Sequence, residues 1–245
     1  MSKKITKKEE VKSIIPQSES ATWGATTSDS EDIIIPKAML MQAMSEFVSE
    51  GQAKVGDFVD STNVDDVLAA QGETFEAIFF KLEKRIMVFE DDKYAFMEDY
   101  KTGYEREILT ANKVVQRRSP LMTFYFLRPS DIAAGTAFPY ALSFKSTSLR
   151  SGKMLVTMFK RLEATNLRSA NKVFTVGTKK EKNDKGTWFV PTTAIGRDTT
   201  QEELNTAYQW FKTLESKNVQ VAEEQDISKV VNVIENDGSD MMAGI

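Results

Sequence analysis

Four cations recur at helical spacing in the stretch "SLRSGKMLVTMFKRLEA": Arg150, Lys153, Lys160 and Arg161. At about 100° per residue they share a sector of roughly a third of a turn, almost opposite Leu155, Met158, Phe159 and Leu162. A second basic group, Lys179, Lys180, Lys182 and Lys185, surrounds the turn residues Asn183, Asp184 and Gly186, and Trp188 follows at the base of that turn. Lys145 precedes the basic helix, and Tyr125 stands among polar neighbours. Cations that follow phosphates, interleaved with aromatic faces on which bases stack at about 1–3 kcal/mol each, are the ingredients of a single-stranded nucleic-acid site. The candidate site is therefore Tyr125, Lys145, Arg150, Lys153, Lys160, Arg161, Lys179, Lys180, Lys182, Lys185 and Trp188. The competing explanation for the same residues is a solvated basic surface with lysines guarding an exposed hairpin edge.

The charge map sharpens this reading. Residues 128–197 hold 13 cations against four carboxylates, a net of +9, whereas the whole chain of 245 residues carries −4 and the remainder therefore −13. Residues 29–99 have 17 acidic and six basic side chains, a face that a polyanion avoids. The chain has neither His nor Cys, which removes the commonest general base, thiol nucleophiles and the usual zinc ligands. Asp57, Asp60, Asp65 and Asp66 are oxygen ligands in type, but their spacing does not match a calcium loop and reads as a solvated acidic surface. There is no Walker-type phosphate loop and no glycine fingerprint after a strand. A non-catalytic protein without a metal or cofactor is expected. No apolar run is long enough for a membrane span and no signal region follows the N-terminus, so a cytoplasmic location is expected.

The elements that must position these residues are mostly strands. "TFEAIFFKLEKRIMVFED" reads as one long bent strand or a hairpin, and "KYAFMEDY" and "LMTFYFLRP" as further strands. Alternation puts Met122, Phe124 and Phe126 on one face and Thr123, Tyr125 and Leu127 on the other. In "FPYALSFKS" it separates Tyr140, Leu142 and Phe144 from Ala141, Ser143 and Lys145. The period then lengthens to about 3.6, with Ser148 as N-cap and Gly152 acceptable only if packing is close. "NKVFTVGTKKEKNDKGTWFVPTT" is a hairpin that Pro191 stops or marks as an edge. Thr200 and Glu203 form a capping box for a helix bearing Leu204, Ala207, Tyr208, Phe211 and Leu214. Upstream, Met39, Leu40, Ala43, Met44, Phe47 and Val48 repeat as an amphipathic helix or turn against the core.

The stretches "IIIPKAMLMQAMSEFVSEGQAKVGDFVDS", "YALSFKSTSLRSGKMLVTMF" and "KKEKNDKGTWFVP" resemble a family of bacteriophage proteins of replication modules, over roughly residues 30–198. The resemblance implies a phage origin and a role in binding and protecting single-stranded DNA. The acidic segment 218–245 is similar to the C-terminal tails with which single-strand binding proteins recruit replication partners, though it lacks an aromatic terminus. The expected fold is α+β, mainly β: an OB-like Greek-key barrel with an inserted basic helix, a C-terminal helix and flexible termini. The expected divisions are an arm over 1–30, where Trp23 docks on protein, one binding domain over 31–217 and a disordered acidic tail over 218–245. The expected function is coating strands during phage replication or recombination in the host cytoplasm. The partners are single-stranded DNA and replication or recombination proteins, and homo-oligomerisation is left open. The alternatives are a virion-associated structural or cargo protein and a host-directed interaction protein.

Overall fold

The computed structural model describes residues 33–90, 93–110, 114–184, 186–216 and 220–221. The expected arm over 1–30, with Trp23, therefore lies outside the described residues, as do Lys185 and all of the acidic tail except residues 220–221.

The described chain begins with β1 (Ile34–Ile35), β2 (Ala38–Leu40), the single turn α1 (Glu46–Ser49), β3 (Phe58–Asp60) and β4 (Val67–Ala69). Next come β5 (Thr74–Glu90), β6 (Lys93–Asp99), β7 (Glu107–Leu109), β8 (Val115–Leu127), α2 (Pro129–Ala134) and β9 (Tyr140–Phe144). The last elements are α3 (Leu149–Glu163), β10 (Lys172–Asn183), β11 (Gly186–Asp198), α4 (Gln201–Ser216) and β12 (Gln220–Val221).

A mainly β, antiparallel architecture results. The main sheet follows the path β11-β10-β5-β8-β7, with β6 added to β5 and β9 to β8, and β2-β3-β4 form a separate small sheet. "TFEAIFFKLEKRIMVFE" is one continuous strand with a register shift between Phe79 and Lys81, not a hairpin. The expected alternation in β8 and β9 places apolar residues on both faces of the sheet. Phe124, Phe126, Leu142 and Phe144 pack with Phe79 and Phe174 beneath Leu155, Phe159 and Leu162 of α3, and Phe58 and Leu68 of the small sheet join the same core. On the opposite face, Ile78, Leu127 and Val173 meet Ile132 of α2 and Ala207 of α4, while Tyr125 and Ala141 meet Ile35 and Leu214.

This two-sided burial corrects the expected barrel. A small closed barrel buries only the inner face of its sheet, whereas these central strands are apolar on both faces and take a layer on each. Among the described residues no strand pairing joins the two ends of the sheet, so it does not close.

Two local expectations change as well. The methionine-rich stretch after Pro36 forms strand β2, paired with β3, and only one helical turn at residues 46–49. Met39 and Met41 are buried with Val59 against Phe47 and Val48 of that turn, but Met44, expected on a buried helical face, is 98% exposed. Ser148 does not cap α3 with its side chain: its hydroxyl donates to the Lys145 carbonyl at 2.8 Å and accepts from the Lys145 N–H at 3.0 Å, closing a 3-10 turn over Ser146–Ser148. Of the two readings of Pro191, the edge holds: β11 runs on to Asp198 as an edge strand where a missing N–H costs no ladder bond.

Other local signals hold. At Gly152 an added Cβ would lie 2.8 Å from Phe144 Cβ, so close packing of α3 on β9 requires the glycine. The capping box forms, with the Glu203 N–H donating to Thr200 Oγ1 at 3.2 Å and the Thr200 N–H donating to Glu203 Oε2 at 2.7 Å. A partner absent from the sequence pattern completes it: Arg197 donates to both Glu203 oxygens at 2.7 and 2.9 Å. The Arg197 hydrogen bonds hold the Glu203 carboxyl below its ordinary pKa, against the opposing effect of burial.

Candidate nucleic-acid interface

Helix α3 buries one stripe and leaves the other in water. Leu155, Phe159 and Leu162 face the core, Met158 is half-buried, and Arg150, Lys153, Lys160 and Arg161 are all exposed on the outer side. That follows from the 3.6-residue period, which the sheet below merely anchors. Lys145 is also exposed, just before the 3-10 turn Ser146–Ser148 that leads into the helix. The Lys160 ammonium meets Glu163 Oε2 at 2.6 Å, an exposed pair that contributes little to stability and leaves the helix strongly cationic.

The β10–β11 hairpin forms as expected, with Asn183 opposite Gly186. Lys179, Lys180 and Lys182 are exposed. Cross-strand register separates them, however: Lys180 lies opposite Phe189 and Lys182 opposite Thr187, whereas Lys179 and Glu181 occupy the other face with Val190 and Trp188. Lys179 approaches Glu181 at 3.8 Å. Trp188 is half-buried, and its indole N–H is shielded from solvent without an acceptor among the described residues.

Tyr125 is a correction. It is 3% exposed, and its hydroxyl donates to Glu83 Oε2 at 2.9 Å while Lys81 lies over its ring. Burial, and then the Glu83 carboxylate, push its pKa up. The polar neighbours that pointed to an open aromatic instead satisfy a core phenol, as buried tyrosines require.

Helix α3 and the 3-10 turn Ser146–Ser148 that precedes it both pack against β11, the second strand of the basic hairpin. Helix α3 touches β11 where the Thr193 hydroxyl donates to Met158 Sδ at 3.9 Å. Near the tip, the Gln42 side chain donates to the Phe189 carbonyl and accepts from the Phe189 N–H, both at 2.9 Å. This clamp spans 147 residues of sequence and has no local signature. Sequence reasoning also missed Tyr208: its place in the apolar repeat of α4 indicates burial, yet it is 55% exposed.

Chemically, the arrangement offers arrays of fixed positive charge. The acidic segment supplies no convergent cluster of ligands: Asp57 accepts the Gln71 N–H, Asp60 accepts the Thr62 N–H and hydroxyl, and no three acidic groups gather among the described residues.

The family model described as "Pam3 phage gp34-like protein" matches residues 6–220. The chain belongs to the Pam3 phage gp34-like family. No curated protein and no solved structure matches it. Membership of a phage protein family is thus established, and the match to the gp34-like family spans both basic elements. No helix among the described residues is long and apolar enough to cross a membrane.

Proposed function

We propose that this gp34-like protein binds single-stranded DNA without catalysing a reaction on it, coating strands exposed in phage replication or recombination in the host cytoplasm. The observation that carries the reading is the outer face of α3, where Arg150, Lys153, Lys160 and Arg161 project into solvent from a helix whose other face is held in the core. Fixed cations of this kind lower the potential energy of a phosphate chain and release its counterions, and they need no cofactor. The hairpin lysines extend the field rather than complete a barrel groove, and Trp188 is the remaining aromatic of the expected site with exposed surface. The acidic tail competes with DNA for these cations and recruits replication or recombination proteins.

The test is fluorescence anisotropy with single-stranded and duplex oligonucleotides over a range of salt concentrations. The full chain should prefer the single strand, with log K falling linearly against log salt. Replacing the four α3 cations by Gln together should reduce the slope by up to about 3, at roughly 0.7 for each phosphate that is no longer neutralised. No binding at low salt would overturn the reading. An unchanged slope would remove α3 from the interface.

A further inference from the structure

The long strand β5 has a break along one edge. It pairs with β10 over residues 74–77 and with β6 over residues 85–90, and between them residues 78–84 have no strand partner on that side among the described residues. The end of α3, the 3-10 turn Ser169–Asn171 and the first half of α4 surround a cavity of about 690 Å³ beside this break, which reaches Phe80 of β5. Its volume lies within the range of roughly 300–1,000 Å³ usual for small-ligand sites.

The walls and the rim differ in chemistry. Phe80, Phe159 and Phe211 supply apolar walls, and Tyr208 stands more than half exposed at the cavity, with the Lys212 ammonium over one side of its ring at 4.8 Å from the centroid. Asn166, Arg168 and Asn205 supply polar groups. The Arg168 guanidinium and the Asn166 amide have no partner among the described residues, while Asn205 Oδ1 accepts from Gln201 and its NH₂ retains its donors. Asn166 occupies the left-handed region, φ 58°, just beyond the end of α3, a conformation Asn tolerates better than most residues.

From this geometry we infer that the cavity receives one nucleobase of a bound single strand, stacked against Tyr208, with Arg168 taking a neighbouring phosphate. The chemistry of the walls and the rim selects the occupant. Aromatic walls with an exposed guanidinium and exposed amides at the rim match a nucleotide, which offers a flat ring, hydrogen-bonding edges and an anion in one unit. The site also adjoins the proposed interface: it is lined by Glu163, the carboxylate that pairs with Lys160 on the helix carrying the exposed cations, and Arg150 to Arg161 is only about 17 Å along the helix axis. The inference rests on the single-strand reading and assigns it a stacking site.

The experiment is photocrosslinking of the full chain to a single-stranded oligonucleotide carrying 5-iododeoxyuridine, with the crosslinked peptide mapped, alongside anisotropy on variants. Crosslinks should fall on Tyr208 or Phe211. Tyr208→Ala should weaken binding about tenfold at an unchanged salt slope, Tyr208→Phe should retain affinity, and Arg168→Gln should lower the slope by about 0.7. Crosslinks confined to other residues, with both Tyr208→Ala and Arg168→Gln binding like the parent, would overturn the pocket and leave the single-strand reading standing. A cavity filled by protein side chains gives that same result. Absence of both crosslinking and low-salt binding would overturn the two together.

Discussion

Glu203 shows how one carboxylate can fix a junction. It is 6% exposed, caps α4 through the Thr200 N–H and receives both terminal nitrogens of Arg197 from the end of β11. Because its folded pKa lies below the unfolded value of about 4.3, its contribution to stability is present above that value and is lost as pH falls through the folded pKa. Urea unfolding of the parent and of Glu203→Gln between pH 3 and 7 should therefore show a deficit in the variant that is full near neutrality and shrinks in the acid range. A deficit independent of pH would assign the role of Glu203 to packing alone. The Thr-x-x-Glu spacing made the cap legible, but Arg197 was not, because the meeting of β11 with α4 brings the guanidinium into place. Tyr125 is the converse case: its polar neighbours in sequence suggested exposure, and only the layer formed by Ile35 and Leu214 shows that it is interior.

Among the elements, the β10–β11 hairpin was readable from its turn residues and alternation, since both act between neighbours in sequence. What holds its outer strand was not. Gln42 satisfies the Phe189 main chain as an additional strand would, which blunts an edge otherwise open to pairing with other chains. Gln42→Ala should cost about 1–3 kcal/mol, as expected when partly buried backbone groups lose their partners. The Phe189 amide should also lose protection in hydrogen exchange. Unaltered Phe189 protection would mean that the clamp does not hold in solution. The stretch around Met39–Val48 failed in the other direction, because helical and strand periods both fit a short apolar run and pairing with β3 decided between them.

At the scale of the molecule, β12 pairs in parallel with β1, with Ile34 opposite Gln220 and Ile35 opposite Val221, so the two ends of the described body are tied together. Beyond Val221, six carboxylates stand against Lys229 alone, a net of −5. Truncation after Val221 keeps the β1–β12 pair and should leave the melting temperature unchanged. If the acidic segment competes with DNA for the α3 cations, the same truncation should tighten single-strand binding at low salt, with the gain fading as the Debye length shortens. Equal or weaker affinity at low salt would exclude that competition.

Sequence alone determined the properties that depend on near neighbours and on totals. The amphipathic period of α3 put its cations on the outside, the Asn-Asp-Lys-Gly turn made a hairpin, the Thr-x-x-Glu pair started a helix, and the absence of His and Cys removed whole classes of chemistry. Tertiary structure decided what depends on the meeting of distant residues: the open two-sided sheet in place of a barrel, the burial of Tyr125, the packing of α3 against β11, and the cavity beside the break in β5. The physical reason is that backbone period and turn conformation are local, whereas burial depends on which layers are stacked together. The two apolar faces of β8 were visible from the start. Each needed a covering layer, and only the arrangement of α3, α4 and the small sheet showed how both were covered.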